Sequence, residues 1–310
     1  MDSSQSLRLG TRGSALARWQ ANWVAQQLQE LGIDVALVPI STRGDQSQTQ
    51  AIGAIGGEGL FTKELGRALL DGHIDMAVHS LKDLPTEHVP GLRLAAVPPR
   101  GHVCDVLVCR EPGTLADLPQ GATVGTGSLR RRAQLLHARS DLRMCDIRGN
   151  VDTRLRKLRG GEFDAMVLAQ AGLTRLDLLD RDWQVLPPST MLPAVGQGAL
   201  GIEAREDDQP TLARLAALDD LATHQAVAAE RAMLAALCGG CLAPVGGWGR
   251  VEQDGRLHLS GVVLSGNGAR RLAAESYAPP DAAVELGRRV ADELLAQGAA
   301  ELIWGVRESG

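Results

Sequence analysis

Aromatic side chains are scarce: they form 3% of the 310 residues, with two Phe and one Tyr. The core must therefore be built from Leu, Val, Ile and Ala, and a surface that stacks many bases is not expected. Smooth apolar runs are missing too. The uncharged stretches 183–202 and 232–249 are broken by Pro187, Pro188 and Pro193, and by five glycines and Pro244. Neither reads as a spanning helix, so no membrane partner is expected. The N-terminus lacks the basic and apolar regions of a secretory signal, which points to the cytoplasm. Five cysteines, at 104, 109, 145, 238 and 241, are an odd count that suits reduced thiols better than a disulfide framework. No Gly-Lys-Ser/Thr ending follows the glycines at 56, 57 and 59, so no Walker-type phosphate loop is present.

What is present is a soluble composition, 44% hydrophobic and 22% charged with mean hydropathy -0.06. The net charge of -5 argues against a nucleic-acid partner. Positive charge is nevertheless concentrated. Residues 121–160 hold ten basic side chains, among them Arg130, Arg131, Arg148 and Arg154, against Asp141, Asp146 and Asp152. Such a surplus can trap anions, and a solvated helix face is the plain alternative.

Periodicity predicts a strand at 7–9 and a helix capped by Ser14, with Leu16, Trp19, Trp23, Val24, Leu28 and Leu31 on one face and Gly32 at its end. It further predicts strands at 35–40 and 74–78 with a helix at 62–70 between them. The order implies a parallel sheet. The middle third repeats the theme: strands at 123–125, 142–147 and 165–168 alternate with helices at 129–138 and 151–158. Gly10-Thr11-Arg12-Gly13-Ser14 echoes Gly125-Thr126-Gly127-Ser128, and Gly72-His73-Ile74-Asp75 echoes Gly161-Glu162-Phe163-Asp164. Two similar α/β domains facing each other across a cleft are expected. The final third reads as an Ala-rich helix at 221–237, strands at 245–251, 257–264 and 271–276 with glycine turns, and a helix at 281–297.

Four places could carry chemistry. The loops 10–14 and 125–131 put small residues between a strand and a helix, where backbone N–H groups and the helix dipole bind anions. Ser80, Lys82 and Asp83 follow a buried strand, where open α/β sheets place active sites. There Asp83 could steady a cation, although Lys82 and Asp83 could equally be a surface ion pair. Cys238-Gly239-Gly240-Cys241 lacks a second pair of ligands for zinc, so no metal is expected, and a thiol on glycines suits a nucleophile or an attachment point. Cys104, Cys109 and Cys145 read as small core residues on strands.

Several blocks carry a resemblance. They include Thr11-Arg12-Gly13-Ser14, Gly59-Leu60-Phe61-Thr62-Lys63-Glu64, His79-Ser80-Leu81-Lys82-Asp83-Leu84-Pro85, Gly125 to Arg131, Ile147 to Arg154, Leu192 to Gly198 and Gly239-Gly240-Cys241. From about residue 7 to 304 the chain resembles the porphobilinogen deaminase, or hydroxymethylbilane synthase, family. The resemblance implies two type II periplasmic-binding-protein-like α/β domains around a cleft, 1–98 with 199–217 and 99–198. A small α+β domain follows at 218–310 and carries the cofactor cysteine. It implies a monomeric transferase of haem biosynthesis that condenses four porphobilinogen molecules head to tail on a dipyrromethane primer. Water then releases hydroxymethylbilane.

By the same resemblance, Cys241 holds the dipyrromethane through a thioether, and Asp83 is catalytic, stabilising positive charge on the pyrrole nitrogens. Ser80, Lys82, Asp83, Thr126, Ser128, Arg130, Arg131 and Arg154 bind the cofactor. Arg12, Ser14, Gln20, Phe61, Arg148, Arg154 and Arg175 bind the substrate and the growing polypyrrole chain. Guanidinium groups suit acetate and propionate arms because they engage carboxylates through paired donors. Two departures stand out: Glu58 where many relatives carry Lys, and Cys238 beside the attachment cysteine. The rival readings are a non-catalytic two-lobed small-anion binding protein and a thiol redox enzyme. The first explains the arginines but not Asp83 or a domain presenting a cysteine.

Overall fold

The computed structural model describes residues 6–40, 62–180, 182–237 and 243–307. The chain divides into two compact units, residues 1–100 with 199–224 and residues 101–198 with 225–310.

The first unit holds five strands, β1 (Leu7–Thr11), β2 (Val35–Pro39), β3 (Met76–Ser80), β4 (Leu92–Ala96) and, returning much later, β10 (Leu200–Arg205), in the order β2-β1-β3-β10-β4. β1 runs parallel to β2 and β3, while β10 runs antiparallel to β3 and β4. The helix Ala15–Glu30 packs Ala21, Val24, Ala25 and Leu28 on one face of this sheet. The helix Lys63–Leu70 packs Leu65, Ala68 and Leu69 on Ile74, Ala77 and Leu92. Leu31, expected on the buried face, is exposed because the helix ends at Glu30 and Leu31 is its C-cap.

The second unit repeats the design with β5 (Asp105–Cys109), β6 (Thr123–Gly125), β7 (Arg143–Cys145), β8 (Ala165–Ala169) and β9 (Gln184–Leu186), in the order β7-β6-β8-β5-β9. β6 is parallel to β7 and β8, and β5 is antiparallel to β8 and β9. Alternation along β5 splits its side chains between two cores, Leu107 toward the helix Leu129–Ala138 and Val106 and Val108 toward the helix Val151–Arg159. Of the cysteines expected on strands, Cys109 and Cys145 lie on β5 and β7; Cys104 falls just before β5, where the chain is still approaching the sheet.

The two sequence echoes are the same device built twice. Ser14 and Ser128 each cap a helix, accepting from the backbone N–H of Ala17 and Arg131. Asp75 accepts from the N–H of Arg8 on β1 and donates its own N–H back, and Asp164 does both with Thr123 on β6. Each Asp follows a glycine of positive φ, Gly72 and Gly161, and so locks the entry to the third parallel strand onto the first.

The C-terminal strands β11 (Val245–Val251), β12 (Leu257–Leu264) and β13 (Arg271–Ala278) form an antiparallel sheet covered by the helices Leu221–Ala236 and Ala283–Ala296. A helix Ala299–Arg307 follows, which the sequence reading did not include. Glycine recurs in β11 because its neighbours press close: a Cβ at Gly249 would sit 2.6 Å from the carbonyl oxygen of Ala226 on the first of these helices, and one at Gly246 2.9 Å from that of Leu192. The fold class is the expected one, two α/β sheets and a small α+β part. Among the described residues no helix is long and apolar enough to cross a membrane.

Asp75 also meets the guanidinium groups of Arg8 and Arg205 at 2.7 and 3.2 Å. Burial pushes its carboxyl up, but the hydrogen bonds from Arg8 and Arg205 outweigh that and hold it below the usual value. The sign follows: this contribution to stability is complete above about pH 4 and is lost as pH falls through the lower folded value. Asp75→Asn should cost about 1–2 kcal/mol in a denaturant melt at neutral pH. The gap to the parent should close in acid; an equal cost at both pH values would exclude the ion-pair account.

Candidate active site

Parallel strands end on the same edge of their sheet, and each unit collects its polar loops there. In the first unit, Arg12 and Ser14 follow β1, and Ser80 closes β3. Lys82 and Asp83 lie in the 3-10 turn Leu81–Asp83. Asp83 is exposed to solvent. Gln20, expected to bind substrate, is buried and donates its Nε2 to Ser80 Oγ at 2.7 Å, tying the first helix to the end of β3. The turn is braced by β10: Leu81 N–H donates to Ala199, and Leu200 pairs with Ser80. One position further, His79 Nε2 lies 2.9 Å from Glu203 Oε2, both side chains buried. The sequence reading assigned no role to this pair.

In the second unit, Thr126 and Ser128 follow β6, Arg148 and Arg154 follow β7, and Arg175 ends the helix Gln170–Arg175 after β8. Thr126 donates its N–H to Cys145, and its hydroxyl accepts from Ser128 N–H, which fixes the loop in front of the helix N-terminus. A Cβ at Gly127 would approach the carbonyl of Ile147 at 3.2 Å, so the loops after β6 and β7 touch. Arg154 folds back to donate Nε to Gly149 at 2.8 Å, while Arg148 is exposed.

Arg130 and Arg131, expected to face an anion, are in the first turn of the helix Leu129–Ala138 and are buried. Both pair with Asp105, which is fully buried at the start of β5, at 2.8 and 2.7 Å. Arg130 also donates to the carbonyl of Leu192, and Arg131 to that of Val167. Burial pushes the Asp105 carboxyl up, but the charges and hydrogen bonds of both guanidinium groups win and hold it far below the ordinary carboxylate range. Sequence reasoning missed Asp105. The available signal was one acidic residue opening the buried run Asp105-Val106-Leu107-Val108.

Where the chain returns toward the first sheet, Gln197 donates to the carbonyl of Val103 and to Asp105. The Gly198 carbonyl accepts from Gly101 N–H and from Arg175 at 2.7 Å. Burial pushes the Arg175 guanidinium down to about 10, so it stays charged at neutral pH. Glu230, fully buried on the helix Leu221–Ala236, accepts from the N–H groups of Gly196 and Gly249 and so holds the same segment from its other side. Phe61, Glu58, Cys238 and Cys241 lie outside the described residues.

The profile of porphobilinogen deaminase, dipyromethane cofactor binding domain, matches residues 7–213, and that of porphobilinogen deaminase, C-terminal domain, matches 224–296. The chain belongs to the porphobilinogen deaminase family. The porphobilinogen deaminase of Syntrophotalea carbinolica is 48% identical over 97% of this chain and 96% of its own, and that of Pelotomaculum thermopropionicum 49% over 98% of each. Among solved structures, the methionine binding protein MetQ matches with 14% identity and a TM-score of 0.43, over 71% of this chain and 90% of that one. Dipyrromethane is the cofactor of this family's N-terminal domain. The donors present suit its acidic arms: a capped helix N-terminus, hydroxyls at Thr126 and Ser128, and two arginines sharing one carboxylate, of which Arg130 keeps a buried Nε without a partner among the described residues.

Gly198 has φ +86°, and a Cβ there would meet the carbonyl oxygens of His102 and Gly101 at 2.6 and 2.7 Å. Gly13 has nothing within 4 Å. Gly198→Ala should therefore lose more than about 1 kcal/mol of stability, while Gly13→Ala should change it by less than about 0.5 kcal/mol. Equal denaturation midpoints for the two variants would refute the close crossing at Gly198.

Proposed function

We propose that the chain acts as a monomeric, cytoplasmic transferase that deaminates porphobilinogen and joins four molecules head to tail. The primer is a dipyrromethane attached through Cys241, and hydrolysis finally frees hydroxymethylbilane. The observation that carries this reading is that both family profiles match in order and together span nearly the whole chain. When bound, the dipyrromethane supplies the first nucleophilic ring and a permanent anchor for elongation.

The chain's own residues account for the rest. Asp83, exposed at the end of its turn and braced from β10, holds positive charge near the pyrrole nitrogens. At about 4 Å and an effective dielectric near 20, one carboxylate stabilises a unit charge by about 4 kcal/mol. Ser80 and Lys82 orient the acidic arms beside it. Thr126, Ser128, Arg130, Arg131 and Arg154 bind cofactor carboxylates, Arg12, Ser14, Arg148, Arg154 and Arg175 bind those of the substrate chain, and Phe61 stacks on a pyrrole ring. Gln20 acts through Ser80, given its buried contact. Each added ring brings two carboxylates, so a cationic lining is what an elongating product of this kind requires. The segment from 218 onward is assigned as a third domain that carries the attachment cysteine, following 1–98 with 199–217 and 99–198. The anion-receptor alternative is not favoured, since a receptor gains nothing from Asp83 beside an anionic ligand.

Intact-mass measurement of the purified protein should show an added mass of two linked pyrroles, absent from Cys241→Ser and kept in Cys238→Ser. A fully active protein of unmodified mass would overturn the anchor. Asp83→Asn should stay folded and lose at least about a hundredfold in porphobilinogen turnover; near-normal turnover would remove Asp83 from the chemistry.

A further inference from the structure

The register of the two sheets identifies equivalent positions. Gly10 pairs with Ala77 as Gly125 pairs with Met166, so Ser80 corresponds to Ala169. Their antiparallel partners, Leu200 and Asp105, then correspond too. Counting from the capping residues Ser14 and Ser128, Arg130 and Arg131 correspond to Leu16 and Ala17. The first unit thus builds the same scaffold with Leu200, Leu16 and Ala17 where the second has a buried carboxylate and two buried guanidinium groups. The fold itself does not require charges here. Burying three of them is costly, because desolvation offsets much of the Coulomb gain.

The arrangement is also unbalanced. One carboxylate faces two guanidinium groups and the Gln197 amide, leaving one surplus positive charge beside a capped helix N-terminus. The Arg130 Nε is buried without a hydrogen-bond partner among the described residues. Asp105 takes Nη2 of Arg130 on one oxygen and Nε and Nη2 of Arg131 on the other, which fixes the plane of both groups.

We propose that Asp105 is a positioning residue: it aims Arg130 and Arg131 and keeps their surplus positive charge in place for the carboxylates of the dipyrromethane. The proposal rests on the reading of those two arginines as cofactor ligands. Asp105 itself touches neither cofactor nor substrate. Its effect is on how fast and how tightly acidic pyrroles are held, and only slightly on the chemical step.

The test compares the parent, Asp105→Asn, which removes the charge, and Asp105→Glu, which keeps the charge but moves it by one methylene. Each is checked for folding by circular dichroism and thermal melting. Apo chains are then incubated with porphobilinogen, and the two-pyrrole mass is followed in time, with KM and kcat measured on the loaded protein. Folded variants should load about tenfold more slowly and show KM raised about tenfold, with kcat within about twofold. The Glu variant keeps the charge but displaces both guanidinium groups, so it decides the matter if the Asn variant fails to fold. A folded variant that loads and binds like the parent, whatever its melting temperature, overturns the proposal. A parent that never gains the pyrrole mass overturns the cofactor reading and this one with it.

Discussion

Strands that run parallel must finish at the same edge of their sheet, so the loop after each one is delivered to a common place however far apart the loops are in sequence. The polar residues of this protein depend on that constraint. In the first unit it puts Arg12 and Ser14 beside the turn of Lys82 and Asp83, because β1 and β3 are neighbours. In the second it puts Thr126, Ser128, Arg148, Arg154 and the helix bearing Arg175 on one edge, because β6, β7 and β8 are parallel. A fourth strand in each sheet runs the other way, and its return supplies the support. Strand β10 braces the Asp83 turn through Leu200 and Glu203, and β5 brings Asp105 under the arginines.

The duplicated design separates what the scaffold needs from what the chemistry needs. The serine caps, the glycine before the third parallel strand and the aspartate that hooks it to the first recur because each solves a local backbone problem. The charged cluster around Asp105 has no counterpart in the sister sheet, where leucine and alanine occupy the matching positions. In the function proposed above that asymmetry has a purpose, since a dipyrromethane and its product are polyanions and guanidinium pairs hold carboxylates with direction as well as charge.

The segment 192–198 shows how few side chains carry the chain back to its first sheet. Glu230 satisfies the buried N–H of Gly196, Arg175 adds a second donor to the Gly198 carbonyl, and Gln197 reaches the carbonyl of Val103. Gly198 lets the outgoing and returning chains touch. The Asp83 turn is itself braced by β10, more than a hundred positions away in the chain.

The alternation of strands and helices, the capping serines, the doubling and the family were legible from residue order alone. Apolar period and cap chemistry act over a few residues, and the helix at 129–138 was recovered to the residue, as was Ser14 as the cap of the first helix. Legible too was the placement of the loops that bear Arg12 and Asp83 at strand ends, because glycine and serine punctuate the step from strand to helix. Tertiary structure alone decided that Arg130 and Arg131 turn inward, that Gln20 reaches Ser80, and that Asp105 and Glu203 matter at all. Each of those contacts joins residues far apart in the chain, and no local rule of spacing or propensity says which buried side chain a given charge will meet.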